Sequence, residues 1–106
     1  KPYRNPQLLK LAKNAPCAIC CSYGTTVSAH SNYLEHGKSM GRKASDAAIC
    51  FLRYNCHTNL DQGAEPYETK KSRFYEACTN TYIWLMENGY LEVKSKGKLQ
   101  MVSEPF

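Results

Sequence analysis

The spacing of apolar residues divides the chain into a few elements. Leu8, Leu9, Leu11 and Ala12 recur at helical spacing just after Asn5 and Pro6, an N-cap followed by a proline in the first turn. A helix is therefore expected from there to about Lys13. The segment "TTVSAH" is β-branched and ends on His30, which predicts a strand, and "DAAICF" predicts its partner across a long basic loop. After Cys56, "HTNLDQG" reads as a short helix closed by Gly63, placing His57 and Asp61 at i and i+4 on one face. Pro66 opens the longest helix, Tyr67 to Asn88. Phe74, Cys78, Thr81 and Leu85 keep its period, with Ala77 and Tyr82 beside them, and Gly89 stops it. The tail "LEVKSKGKLQMV" suggests a strand pair turning at Gly97, or a loose end. Neither an internal repeat nor a second domain emerges from the pattern.

Length and charge narrow the function classes. With 106 residues the chain can bury one modest core, and a domain of that size gains from a staple. A hydrophobic content of 42% with 11% aromatics argues for a folded domain over a disordered one. No apolar run approaches the roughly 20 residues that span a bilayer, and the first residues lack the blocks of a signal peptide, so no membrane association and a cytosolic location are expected. A formal charge of +5 and a pI near 8.9 favour an acidic partner, nucleic acid being the commonest. The stretch "HGKSMGRK" carries Lys38, Arg42 and Lys43 with two glycines and no acid. It suits a loop whose backbone approaches phosphates, and the plainer reading is a solvated surface loop.

The six cysteines admit two frameworks, disulfides in a secreted domain or metal ligands in a cytosolic one, and the missing signal peptide favours metal. Cys17 and Cys20 form a C-x2-C knuckle, "CAIC", and Cys50 with Cys56 supplies a second pair at C-x5-C spacing. Four thiolates would close a tetrahedral structural zinc site. Cys21 is an alternative to Cys20, and Cys78 is expected inside the long helix as a small apolar residue.

A strand, a basic loop, a second strand and a helix bearing His and Asp together resemble the HNH nucleases, whose core is a ββα-metal finger, in the variety where cysteine pairs bind structural zinc. The likeness is greatest to the small prophage-encoded nucleases called YbcO-like, and more distant to the phage recombination nuclease type Ref. It is carried by "APCAIC", "VSAHSN", "GKSMGRKASD" and "CHTNLDQG" in that order, and more weakly by "ACTNTYIWLMENGYLEV". The fold it implies is α+β: a small zinc-stapled ββα-metal finger flanked by an N-terminal helix and a long C-terminal helix. The single domain would divide into an N-terminal helix over 1–14, zinc knuckles and finger over 15–63, C-terminal helix and strand over 66–93, and a basic tail over 94–106.

The resemblance also implies roles. His30, closing the first strand, would be the general base, and a neutral imidazole near pKa 6.5 suits that task. Asp46 stands where the family has an asparagine that orients the base; it can accept the other imidazole N–H, cap a turn or join the metal shell. His57 and Asp61 would bind the catalytic ion, Mg²⁺, Mn²⁺ or Zn²⁺. Many relatives place a further ligand directly before the base, where this chain has Ala29. Either water fills that place, or His30 itself binds metal and the base lies elsewhere. His36 is the rival base and better suited to a phosphate contact, alongside Lys38, Arg42 and Lys43. The implied function is a metal-dependent DNA endonuclease of phage or prophage type, acting in a bacterial cytoplasm with low sequence specificity, in recombination or DNA processing. A non-catalytic zinc-bound nucleic-acid-binding module is the alternative, and a disulfide-stabilised secreted domain ranks last.

Overall fold

A computed structural model describes residues 3–94. The expected strand pair turning at Gly97 lies outside them. The described residues form a small α+β unit with a two-stranded antiparallel sheet and three α-helices, in the order α1 (Pro6–Lys10), β1 (Thr26–His30), β2 (Ile49–Arg53), α2 (Tyr54–Gln62) and α3 (Tyr67–Glu87). Helix α1 begins where the Asn5 side chain accepts the Leu8 amide at 3.1 Å, and it tightens into a 3-10 turn over Leu11–Asn14. Among the described residues, no helix is long and apolar enough to cross a membrane.

Strands β1 and β2 pair with Ala29 opposite Cys50 and His30 opposite Ile49. Both faces of β2 are buried, which a continuous apolar run permits and alternation would not. One face packs Cys50 and Leu52 with Cys17, Ala29, Leu60, Phe74 and Ala77. The other packs Ile49 and Phe51 with Ala12, Ala15 and Leu85. Helix α3 spans both clusters because Phe74, Ala77, Thr81 and Leu85 line one stripe of it. Thr81 bridges them: its hydroxyl donates to the Ala77 carbonyl at 2.8 Å and accepts the Phe51 amide at 3.0 Å.

Two element starts differ from expectation, and one expected stop is made differently. Strand β2 starts at Ile49 rather than Asp46, because Asp46 is drawn away by the N-terminal segment and Ala48 closes a turn onto Ser45. Helix α2 starts at Tyr54, so Cys56 lies in its first turn and not before it. Gly63 ends that helix with φ −70°, outside the left-handed region. Glycine is required there by crowding, since a Cβ would sit 2.4 Å from the Asn59 carbonyl oxygen. Gly89, after α3, does take the left-handed conformation at φ 78°.

Candidate functional site

Three elements converge on a cleft lined by Ala29, His30, Asn32, Tyr33, His57, Leu60, Asp61, Tyr67, Lys70 and Phe74. The end of β1 delivers His30, the exposed face of α2 delivers His57 and Asp61, and the first turns of α3 close the far wall. His30 Nε2 lies 2.7 Å from Asp46 Oδ1. With an ionised carboxylate the imidazole donates at Nε2, which leaves Nδ1 as the nitrogen able to take a proton. His57 Nε2 and Asp61 Oδ2 stand 3.1 Å apart, one helical turn from each other, and the Asn32 amide donates to the other Asp61 oxygen at 3.3 Å.

Asp46 is almost wholly buried, at 2% exposure, and stands apart from the His57–Asp61 pair. Besides His30 it accepts the Asn5 amide at 2.7 Å and Arg4 Nη1 at 3.1 Å. Burial pushes its carboxyl up, but the hydrogen bonds from His30 and Asn5, the charge of His30 and the Arg4 contact outweigh it and hold the pKa below the ordinary value. Arg4 also reaches the Ala44 and Lys43 carbonyls, so the N-terminal segment is laced to the loop that carries Asp46.

His36 lies apart from this cleft. Its Nδ1 meets Ser31 Oγ at 2.6 Å, and its ring packs at 5.6 Å from Tyr75 and 6.1 Å from Tyr33, so it is occupied in an aromatic cluster. Lys38, Arg42 and Lys43 sit on a turn closed by the Ser39–Arg42 bridge, and none of them lines the cleft. The basic residue that does is Lys70, whose Nζ lies 3.4 Å from the Asp61 carbonyl. Its neighbours on α3 are engaged elsewhere: Lys71 pairs with Glu35 at 2.6 Å, and Arg73 with Glu65 at 2.8 Å. Sequence pattern offered Lys70 only as part of an alternative DNA-contacting surface with Lys71 and Arg73, not as a residue of the cleft. The available signal was its position four residues before Phe74, which sets it on the buried face of α3.

A second cluster lies behind α2. The sulfurs of Cys17, Cys20 and Cys56 all fall within 4.8 Å of one another, a group able to hold a metal ion. The C-x2-C turn folds tightly: the Cys21 amide donates to the Cys17 carbonyl at 2.9 Å, and the Ile19 and Cys20 amides approach the Cys17 sulfur at 3.4 and 3.5 Å. Three sulfurs so placed, two of them on one tight turn, form a donor set that suits zinc. The Ser22 backbone amide, working against desolvation and joined by hydrogen bonds from the Ser22 side chain, Cys17 and Cys56, brings the Cys20 thiol down to about 6. Burial first, and then hydrogen bonding to Cys17 and Cys20, pushes Cys56 up to about 12. Binding a divalent ion would release the protons that remain.

Cys50 is the correction to the expected four-cysteine site. It is fully buried in β2 opposite Ala29, and its side chain lies in the apolar cluster with Leu52 and Phe74. A hydrogen bond with Cys78, and then burial, push its thiol far above the ordinary range. A residue in a doubly buried strand has its direction set by the sheet, and here the sheet points it into the core.

No family model, curated protein or solved structure matches this chain. The functional reading therefore rests on the arrangement of these side chains.

Proposed function

We propose that this protein is a metal-dependent nuclease of the ββα-metal type that hydrolyses DNA phosphodiesters at the cleft between β1, α2 and α3. One observation carries the reading. A histidine oriented by a buried carboxylate and a His–Asp pair at one helical turn line the same cleft, together with a lysine.

His57 and Asp61 would hold the ion, Mg²⁺, Mn²⁺ or Zn²⁺, which when bound supplies Lewis-acid stabilisation of the leaving 3′ oxygen. His30 takes a proton from the attacking water at Nδ1, while Asp46 fixes the tautomer and stabilises the imidazolium that forms. The water oxygen bonds to phosphorus as the bond to the 3′ oxygen breaks, and the departing oxygen gains a proton from solvent. Lys70 sits where it offsets charge on the phosphate. The cysteine cluster behind α2 would anchor the helix that carries His57 and Asp61, because Cys56 belongs to both the cluster and the helix.

A specific observation favours a second reading. Ala29 lines the cleft where a further ligand would stand, so His57 and Asp61 are the two conventional metal-ligating side chains there apart from the base. A nucleic-acid-binding module that keeps the finger without the chemistry would have that composition.

Plasmid nicking with Mg²⁺, Mn²⁺ and Zn²⁺ separates the two. His30→Ala should abolish cleavage yet keep DNA and divalent-ion binding, since a general base acts on the transition state. His57→Ala should abolish cleavage without releasing the cysteine-bound metal. Absence of metal-dependent cleavage in the parent protein, with DNA binding retained, would establish the binding module instead.

A further inference from the structure

The three-sulfur cluster departs from a closed structural site in a way that gives it chemistry of its own. Tetrahedral zinc with Zn–S bonds near 2.3 Å needs sulfurs about 3.8 Å apart, and a group already within 4.8 Å reaches that with a small contraction. Three corners are thus provided. The remaining thiols fall outside this group, although Cys50 packs in the same buried cluster as Cys17 and Cys56. Cys50 is locked in β2, where the backbone of the next residue, Phe51, is held by Thr81 on one side and the Ala18 amide on the other. Cys78 sits on α3 beside Cys50. Cys21 follows Cys20 but is not part of the group, and its backbone is held in the left-handed region at φ 67°.

The residue three positions before Cys56, where a second C-x2-C knuckle would place a thiolate, is Arg53. Its Nε donates to the Gly24 carbonyl at 3.3 Å. Cys20 is exposed and Cys56 half-buried, and a groove lined by Ile19, Cys56, Asn59, Leu60, Glu65 and Arg73 opens beside them. The acid in that groove is committed: both Glu65 oxygens are bound by Arg73, at 2.8 and 2.9 Å.

We infer that the Cys17–Cys20–Cys56 centre is an open one, holding a thiophilic divalent ion through three thiolates and leaving a fourth, solvent-facing position to water that a small-molecule thiolate can replace. The inference rests on the reading that this cluster binds zinc, and it is independent of nuclease activity. Three protein ligands plus an exchangeable position is the arrangement of reactive zinc sites, whereas closed structural sites have four. The net charge of three thiolates and one divalent ion is −1, so neutral water is the natural resident ligand. An incoming thiol displaces it and releases one proton.

The test uses the full chain reconstituted with Co²⁺ under a phosphine reductant, free of small thiols. Sulfur-to-cobalt charge-transfer absorbance follows the number of thiolates, so the expected intensity is about three quarters of that of a four-thiolate centre. Adding 2-mercaptoethanol should raise it to the four-thiolate level and shift the visible bands. Cys21→Ala and Cys50→Ala should leave both spectra unchanged. A four-thiolate spectrum without added thiol, or one that weakens in Cys21→Ala or Cys50→Ala, would overturn the open site while leaving the metal centre intact. Failure to bind Co²⁺ or Zn²⁺ at all would overturn both. Because the thiol response is read on the unaltered chain, it decides the matter even if the Cys50 variant does not fold.

Discussion

Replacing Asp46 by Asn tests the link between the N-terminal segment and the cleft. The carboxylate is 2% exposed and accepts three donors: His30 Nε2 at 2.7 Å, the Asn5 amide at 2.7 Å and Arg4 at 3.1 Å. A hydrogen bond to a charged group contributes about 1.5–3 kcal/mol net. The Arg4 side chain is 37% exposed, so that contact is discounted for solvent screening. An amide keeps one acceptor oxygen for the Asn5 amide and turns an NH2 toward His30 and Arg4, so the charge-assisted bonds become neutral ones, His30 must change tautomer to accept, and a donor–donor contact with Arg4 appears. The expected cost is about 2–4 kcal/mol, which at about 4–8 °C per kcal/mol for a domain this small lowers Tm by about 8–32 °C. Thermal melting of the zinc-loaded proteins at pH 7, followed by circular dichroism, measures it.

The pH dependence gives an independent check. The folded carboxyl lies below its ordinary value, so its contribution is complete above roughly pH 4 and is lost as pH falls through the lower folded value. The parent should therefore lose stability faster than Asp46→Asn below that point, and the two curves should converge. Metal release in acid is common to both proteins and cancels in the difference. A Tm within about 3 °C of the parent, with parallel acid limbs, would refute the account of Asp46 as the tie between these segments.

Three further outcomes are expected. Gly63→Ala should destabilise by about 1–3 kcal/mol, read by chemical denaturation, because its Cβ meets the Asn59 carbonyl at 2.4 Å while φ is unstrained. Lys70→Ala should lower the cleavage rate at least about tenfold with melting unchanged, whereas Lys71→Ala, which breaks a pair with Glu35, should change cleavage little. Replacing Lys38, Arg42 and Lys43 together should weaken DNA binding and flatten its dependence on salt, by up to about 3 in the slope of log K against log salt concentration. A titration in salt checks this, and an unchanged slope would place the binding surface elsewhere.

The elements that were legible in the sequence are those whose cause is local. The Asn5–Pro6 start of α1, the β-branched run ending at His30, and the stripe of Phe74, Thr81 and Leu85 each depend on a few neighbouring residues and form where their pattern lies, with Ala77 rather than the expected Cys78 completing the buried stripe. Spacing also placed His57 and Asp61 on one face of a helix, because an i, i+4 relation survives a shift of the helix start. What was not legible depends on distant partners. Cys50 looked like half of a metal pair because spacing along the chain carries no information about which side of a strand a residue takes. Asp46 began a predicted strand in "DAAICF", yet its side chain is claimed by Arg4 and Asn5, about forty residues away. His36 offered a ring in a basic loop, and only the tertiary packing of Tyr33 and Tyr75 shows that it is taken up.

The outer edge of β2 ties the sheet to the cysteine cluster and to any metal that cluster holds. A two-stranded sheet leaves edges that invite pairing with another chain. Here the Phe51 amide is covered by the Thr81 hydroxyl and the Phe51 carbonyl by the Ala18 amide, within the C-x2-C turn. One of those two covers belongs to a helix, and the other to a loop whose shape depends on the cysteine cluster. Stripping the metal therefore unlatches half of an edge guard, and the exposed strand, "ICFLR", is apolar along most of its length. If the cysteine cluster holds zinc, chelation should accordingly drive self-association before it drives unfolding, and the metal would guard that edge as much as the surface charge does.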